Sequence, residues 1–110
     1  MAERILQINF KFNVSPSEYE QAASSMADDF AGVDGLRWKI WLMNEKENEA
    51  GGIYVFEDET SLGAFLAGPL ASKVSNHPAL SDMSVKQWDN MADLTAITRG
   101  PIRITTGETA

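Results

Sequence analysis

Polar and apolar residues alternate with period two at the start of the chain. Leu6, Ile8, Phe10 and Phe12 interleave with Gln7, Asn9, Lys11 and Asn13, the pattern of a strand with one buried face. The period then changes. Ser15 can cap a helix, Pro16 suits its first position and Glu18 completes a capping box. Tyr19, Ala22, Ala23, Met26 and Phe30 follow as one helical stripe that ends at Gly32 and Gly35. Residues 36–43 return to period two, with Leu36, Trp38, Ile40 and Leu42 on one face and Arg37, Lys39, Trp41 and Met43 on the other. After the charged stretch 44–49, Ala50-Gly51-Gly52 leads into Ile53-Tyr54-Val55-Phe56, which is apolar on both faces, as in a strand covered from both sides. These two segments predict a hairpin.

Asp58 predicts the cap of a second helix with Leu62, Phe65 and Leu66 as its inward stripe, broken at Gly68-Pro69 and followed by one further turn over 70–74. Residues 75–78 are loop chemistry, and 83–89 predict a fourth strand. Met91, Leu94 and Ile97 suit a short helical turn, stopped at Gly100-Pro101, with 102–106 as an extended arm. The order β-α-β-β-α-β predicts an α+β, ferredoxin-like fold with a four-stranded antiparallel sheet. Right-handed crossovers place both helices on one face of it. The other face then offers Trp41, Met43 and one pair of the apolar residues 53–56 to water, a patch that predicts a homodimer through sheet-to-sheet packing.

Length and composition narrow the function. At 110 residues, 1–110 reads as one domain, with about 92–110 as a C-terminal extension. A net charge of −7, with nine Lys and Arg residues in no stripe, repels phosphate backbones and anionic membrane surfaces, so neither nucleic acid nor membrane is an expected partner. There is no cysteine, which removes thiolate chemistry, disulfides and Cys-ligated metals. His77 stands without a second histidine or an acidic cluster at ligand spacing, so no metal site and no cofactor is expected. With no signal-peptide pattern at the start and no apolar run of spanning length, the expected location is cytoplasmic.

The segment 36–66 carries a more specific signal. Trp38-Lys39-x-Trp41, Glu45-Lys46 and Glu49-Ala50-Gly51-Gly52-Ile53-Tyr54-x-Phe56, with the opening strand Leu6-Gln7-Ile8-x-Phe10, resemble the YdhR-like family of monooxygenases. The likeness covers roughly residues 5–70. It implies the dimeric α/β-barrel superfamily, whose members include antibiotic-biosynthesis monooxygenases and haem-degrading enzymes and pair as homodimers. The activity it implies is that of a cofactor-independent monooxygenase acting on a small apolar aromatic, quinol- or anthrone-like, in a helix-side pocket. The alternative is a non-catalytic small-molecule binding or stress-related module of the same fold.

Each candidate residue has a bland use beside the functional one. Trp38 and Trp41 lie three apart on a strand and so face opposite ways; one can line the pocket, although core filling is the commoner role. Trp38, Trp41 and Phe65 are the candidate pocket walls. Tyr54 offers a hydroxyl, Asn9 an amide, and His77 a base suited to neutral pH, against the ordinary uses of a sheet-rim tyrosine, a cross-strand amide and a solvated loop histidine. Gly51-Gly52 lets the backbone pass something closely, either a ligand or a neighbouring strand.

Overall fold

In a computed structural model describing residues 3–102, four antiparallel strands form one sheet in the order β2-β3-β1-β4. The strands are β1 (Arg4–Phe12), β2 (Leu36–Asn44), β3 (Glu49–Phe56) and β4 (Leu80–Asp89). Helices α1 (Pro16–Ala31), α2 (Glu59–Leu66) and α3 (Pro69–Ser75) link them, and α4 (Ala92–Ile97) follows β4. This is the ferredoxin-like arrangement that the sequence predicts. The local signals act as expected. Glu18 N–H donates to Ser15 Oγ at 3.1 Å while Ser15 N–H donates to the Glu18 carboxylate at 3.0 Å, a complete capping box. Asp58 caps α2 by accepting from Ser61 N–H at 2.8 Å.

One core lies between the sheet and its helices. Leu6, Ile8, Phe10 and Phe12 project into it from β1, Ala50, Tyr54 and Phe56 from β3, Phe30 from α1, and Leu62 and Phe65 from α2. Leu6 pairs with Tyr54, Ile8 with Gly52 and Phe10 with Ala50, so the even-numbered positions of both central strands face the helices.

The β2 register reverses one expectation. Lys39 pairs with Tyr54, Trp41 with Gly52 and Met43 with Ala50, which puts Lys39, Trp41 and Met43 on the helix side. Trp38, Ile40 and Leu42 face away from the helices beside Val55, Ile53 and Gly51. An irregularity between Leu36 and Trp38 returns Leu36, opposite Phe56, to the helix side. The bulged Arg37 is tied by its Nε to the Glu3 carboxylate at 2.8 Å. The more apolar face of β2 is therefore the one turned away from the core.

β3 begins at Glu49, four residues before the predicted run, and β4 begins at Leu80. Past β4 the chain returns to the opposite edge of the sheet, where Trp38 Nε1–H donates to the Pro101 carbonyl at 2.6 Å. Val55, which faces away from α1 and α2, is fully buried at this end. Elsewhere on that face Ile40 and Trp88 are 49% and 48% exposed, and Ile5, Leu42 and Ile53 are half-buried. Most of the predicted arm, from residue 103 onward, lies outside the described residues. Among the described residues no helix is long and apolar enough to cross a membrane.

Candidate functional site

The helix side of the sheet is not filled to its edge. Between α1, β2, β3 and the loop after α3 lies a cavity of about 130 Å³, lined mainly by apolar side chains, among them Phe10, Met26, Phe30 and Trp41. Its origin is local. Gly52 occupies the helix-facing position between Ile8 and Trp41, and a Cβ there would stand 2.8 Å from Lys39 Cε and 3.2 Å from the Tyr54 ring. Its missing side chain is the space into which Lys39 folds. Gly51 serves the neighbouring strand instead. A Cβ there would collide with the Ile8 carbonyl, and its φ is +156°.

Lys39 is the central polar group. Its Nζ sits 3.4 Å from the Trp41 ring centroid, 3.5 Å from that of Phe30 and 4.7 Å from that of Tyr54. Phe30 and Trp41 meet edge to face at 5.3 Å, forming two walls of the cage. Burial favours the neutral amine and lowers the Lys39 pKa from 10.5 to about 7. The ring faces attract the ammonium and hold it in place. The two ion pairs among the described residues, Arg4–Asp89 and Arg37–Glu3, leave Lys39 out. It is thus a partly desolvated amine close to its titration midpoint at neutral pH.

Tyr54, Tyr19 and His77 complete the polar lining, with Glu18 at the mouth. Tyr54 is only 4% exposed, and burial first, then the neighbouring Tyr19, pushes its pKa far above the ordinary phenol value. Burial also raises that of Tyr19. Both phenols therefore stay protonated and act as donors. The His77 Nδ1 accepts from Ala79 N–H at 3.1 Å, so the neutral ring carries its hydrogen on Nε2 and presents a donor. Its expected use as a base would need that hydrogen bond to Nδ1 to break. The Glu18 carboxylate is held by Ser15 N–H, and that hydrogen bond lowers its pKa.

Of the six predicted site residues, three gather here: Trp41, Tyr54 and His77. Asn9 does not. As an odd-numbered β1 residue opposite Gly51 and Ser84 it faces away from the helices, and its Oδ1 accepts from Gln7 Nε2 at 2.9 Å. Trp38 lies on that same outer face. Phe65 is buried behind Tyr54, with ring centroids 5.4 Å apart, and fills core. Lys39 and Tyr19 are the additions. The signal for Lys39 is present in its strand, because it shares a face with Trp41 and Met43, and a lysine in such company is partly buried.

A second, open depression of about 500 Å³ lies next to the cavity and shares Tyr19, Ala23 and Trp41 with it. Trp41 is the partition between the two. An apolar cavity of about 150 Å³ accepts one benzene-sized ring, so the inner space takes a single ring and a larger planar molecule must extend past Trp41. Among the described residues no group of three or more His, Asp or Glu side chains is placed to hold a metal ion.

Solved structures share this fold at low identity. SnoaB, a cofactor-independent oxygenase from Streptomyces nogalater, superposes with a TM-score of 0.66 at 23% identity, covering 80% of this chain and 92% of that one. A dimeric ferredoxin-like protein of unknown function from Thermobifida fusca gives 0.63 at 18%, covering 82% and 93%. The heme-degrader MhuD from Mycobacterium tuberculosis gives 0.62 at 16%, covering 79% and 95%. No curated protein sequence matches. The family model described as "Putative mono-oxygenase ydhR" matches residues 5–101, nearly the whole described chain, and so the protein belongs to the ydhR mono-oxygenase family.

Proposed function

We propose that the chain is a cofactor-independent monooxygenase for a small planar aromatic, a quinol or anthrone, bound on the helix side of the sheet. The observation that carries this reading is an apolar cavity whose polar groups are nearly all hydrogen-bond donors or an amine: Tyr19, Tyr54, His77 and Lys39. Such a lining favours an aromatic that has lost a proton over its neutral form. An anthrone anion gives one electron to dioxygen, and the resulting radical and superoxide combine at carbon as a peroxide. Protonation and loss of water leave the quinone. The CH2 group becomes a carbonyl, one oxygen atom enters the product, the other leaves as water, and no external reductant is used. The SnoaB fold neighbour, described as a cofactor-independent oxygenase, supports the same chemistry.

Trp41 is taken as the aromatic wall, and Tyr54 and His77 as donors to the developing oxyanion. The working form is taken to be a homodimer joined through the outer sheet face. Its support is the exposed apolar set there and the dimeric state printed for the Thermobifida fusca neighbour.

The test is oxygen consumption with a graded series from hydroquinone to naphthohydroquinone to anthrone. The expected outcome is one dioxygen per anthrone, with one labelled oxygen atom from 18O2 in the quinone, and a rate at least tenfold lower in Trp41→Ala. Uptake no faster than in buffer across the series sinks the monooxygenase. If the same compounds still raise the melting temperature, the chain is a binding module without turnover.

A further inference from the structure

Lys39 has a geometry unlike the other lysines of the chain. Its Nζ is enclosed by Phe30, Trp41 and Tyr54, over a floor kept open by Gly52, and it takes part in neither of the ion pairs found among the described residues. We propose that Lys39 is the proton acceptor of the site, taking the acidic proton of a phenol, naphthol or anthrone and remaining beside the anion as its counter-ion. This assignment rests on the aromatic-substrate reading above and deepens it.

The other titratable groups facing the cavity point to the same residue by what they cannot do. From β3, Tyr54 stays protonated, and from α1 so does Tyr19. Glu18, also on α1, is committed to Ser15 N–H and is a weakened base there. His77, in the loop after α3, has Nδ1 occupied by Ala79 N–H. Lys39 alone has a lone pair to offer near neutral pH, in its amine form. The transfer is balanced without a co-reactant: the substrate O–H or C–H bond breaks, an N–H bond forms, and the pair stays in the cavity as ammonium and anion. An ion pair inside an apolar site is stronger than in water, provided that both charges are partnered. The three donors of Tyr19, Tyr54 and His77 partner the anion, and the ring faces partner the ammonium. The substrate class follows. A planar aromatic with an ionisable O–H or activated C–H fits, whereas an aromatic acid ionised in solution gives Lys39 no proton to take.

2-Naphthol under argon tests this without turnover, because its neutral and anionic forms absorb at different wavelengths. The wild-type protein is expected to bind it as the anion at pH 8.5 with close to no net proton exchange. At pH 6, where Lys39 is already charged, about one proton per ligand is released, as read by calorimetry in buffers of differing ionisation enthalpy. Lys39→Met is expected to bind the neutral form, with affinity equal to that for 2-methoxynaphthalene within about twofold. Lys39→Arg keeps the charge but cannot accept a proton, and is expected to hold the anion while releasing about one proton at both pH values. Neutral naphthol bound by the wild type, an anion band that survives in Lys39→Met, or no binding at millimolar ligand each overturns the assignment. Oxygen uptake on anthrones with only neutral naphthol bound would leave the monooxygenase standing and remove Lys39 as the base. A bound anion without oxygen uptake would do the reverse.

Discussion

At the scale of the residue, Lys39 sets a conflict between folding and chemistry. Its folded pKa of about 7 lies below the ordinary lysine value of 10.5, so between these pH values the unfolded chain binds more protons than the folded one. Stability therefore rises as pH increases across that window, and below about 7 the charged amine exerts its full penalty. Nζ is only partly withdrawn from water and gains from the ring faces, so the penalty is discounted to roughly 1–2 kcal/mol. Lys39→Met is expected to be more stable than the wild type by about that much at pH 6, with the difference shrinking toward pH 10, while the site loses its amine. Urea unfolding at pH 6, 8 and 10 reads the trend. A difference that stays flat or grows with pH would show that the amine is not desolvated in the folded protein.

At the scale of the element, the legible parts are those governed by local chemistry. The alternation of β1, the Ser15–Glu18 box, the Asp58 cap and the break at Gly68-Pro69 each act within a few residues, and each appears at its predicted position. What escapes depends on pairing. Gly51 and Gly52 read as a lead-in because glycine disfavours strands, yet both are paired inside β3, where neighbouring strands and Lys39 need their room. The two faces of β2 exchange roles because a one-residue bulge at Arg37 is set by tertiary contacts, whereas periodicity alone gives the more apolar face to the core. That one exchange explains why the alternation favours Trp38 as a wall and hides Lys39. Asn9 is a different case: it alternates with Leu6, Ile8 and Phe10, so strand parity in the sequence already turns it away from a helix-side cavity. Gly52→Ala examines this logic directly. Its Cβ would displace Lys39 and press on the Tyr54 ring, so the expected result is a folded protein, less stable by about 1 kcal/mol, that has lost anion binding. Naphthol titration together with thermal melting separates the two effects. Retained anion binding would mean that Lys39 does not depend on this floor.

At the scale of the whole molecule, the chain has placed its greasier β2 surface on the side of the sheet turned away from α1 and α2. Trp38, Ile40 and Leu42 look outward with Ile53 and Val55, and Trp88 joins them from β4 beside Ile5. Among the described residues, the segment after β4 reaches this face at the Trp38 end, through Pro101, and it brings further exposed apolar side chains of its own in Met91, Leu94 and Ile97. A contiguous surface of this kind costs free energy in water, and a second copy related by twofold symmetry presents the same surface in return. Ile40 stands midway along the edge strand β2, half exposed and with no role in the cavity. Ile40→Asp places a carboxylate where the copies would meet, and in the dimer each substitution faces a desolvated apolar surface. Sedimentation equilibrium is therefore expected to move from twice the chain mass in the wild type to the chain mass in the variant at micromolar concentration, a weakening of at least roughly 100-fold. The far-ultraviolet spectrum should be unchanged, since Ile40 adds nothing to the helix-side core. A wild type that sediments as a monomer would remove the dimer, and a variant that remains paired would move the association away from this sheet face.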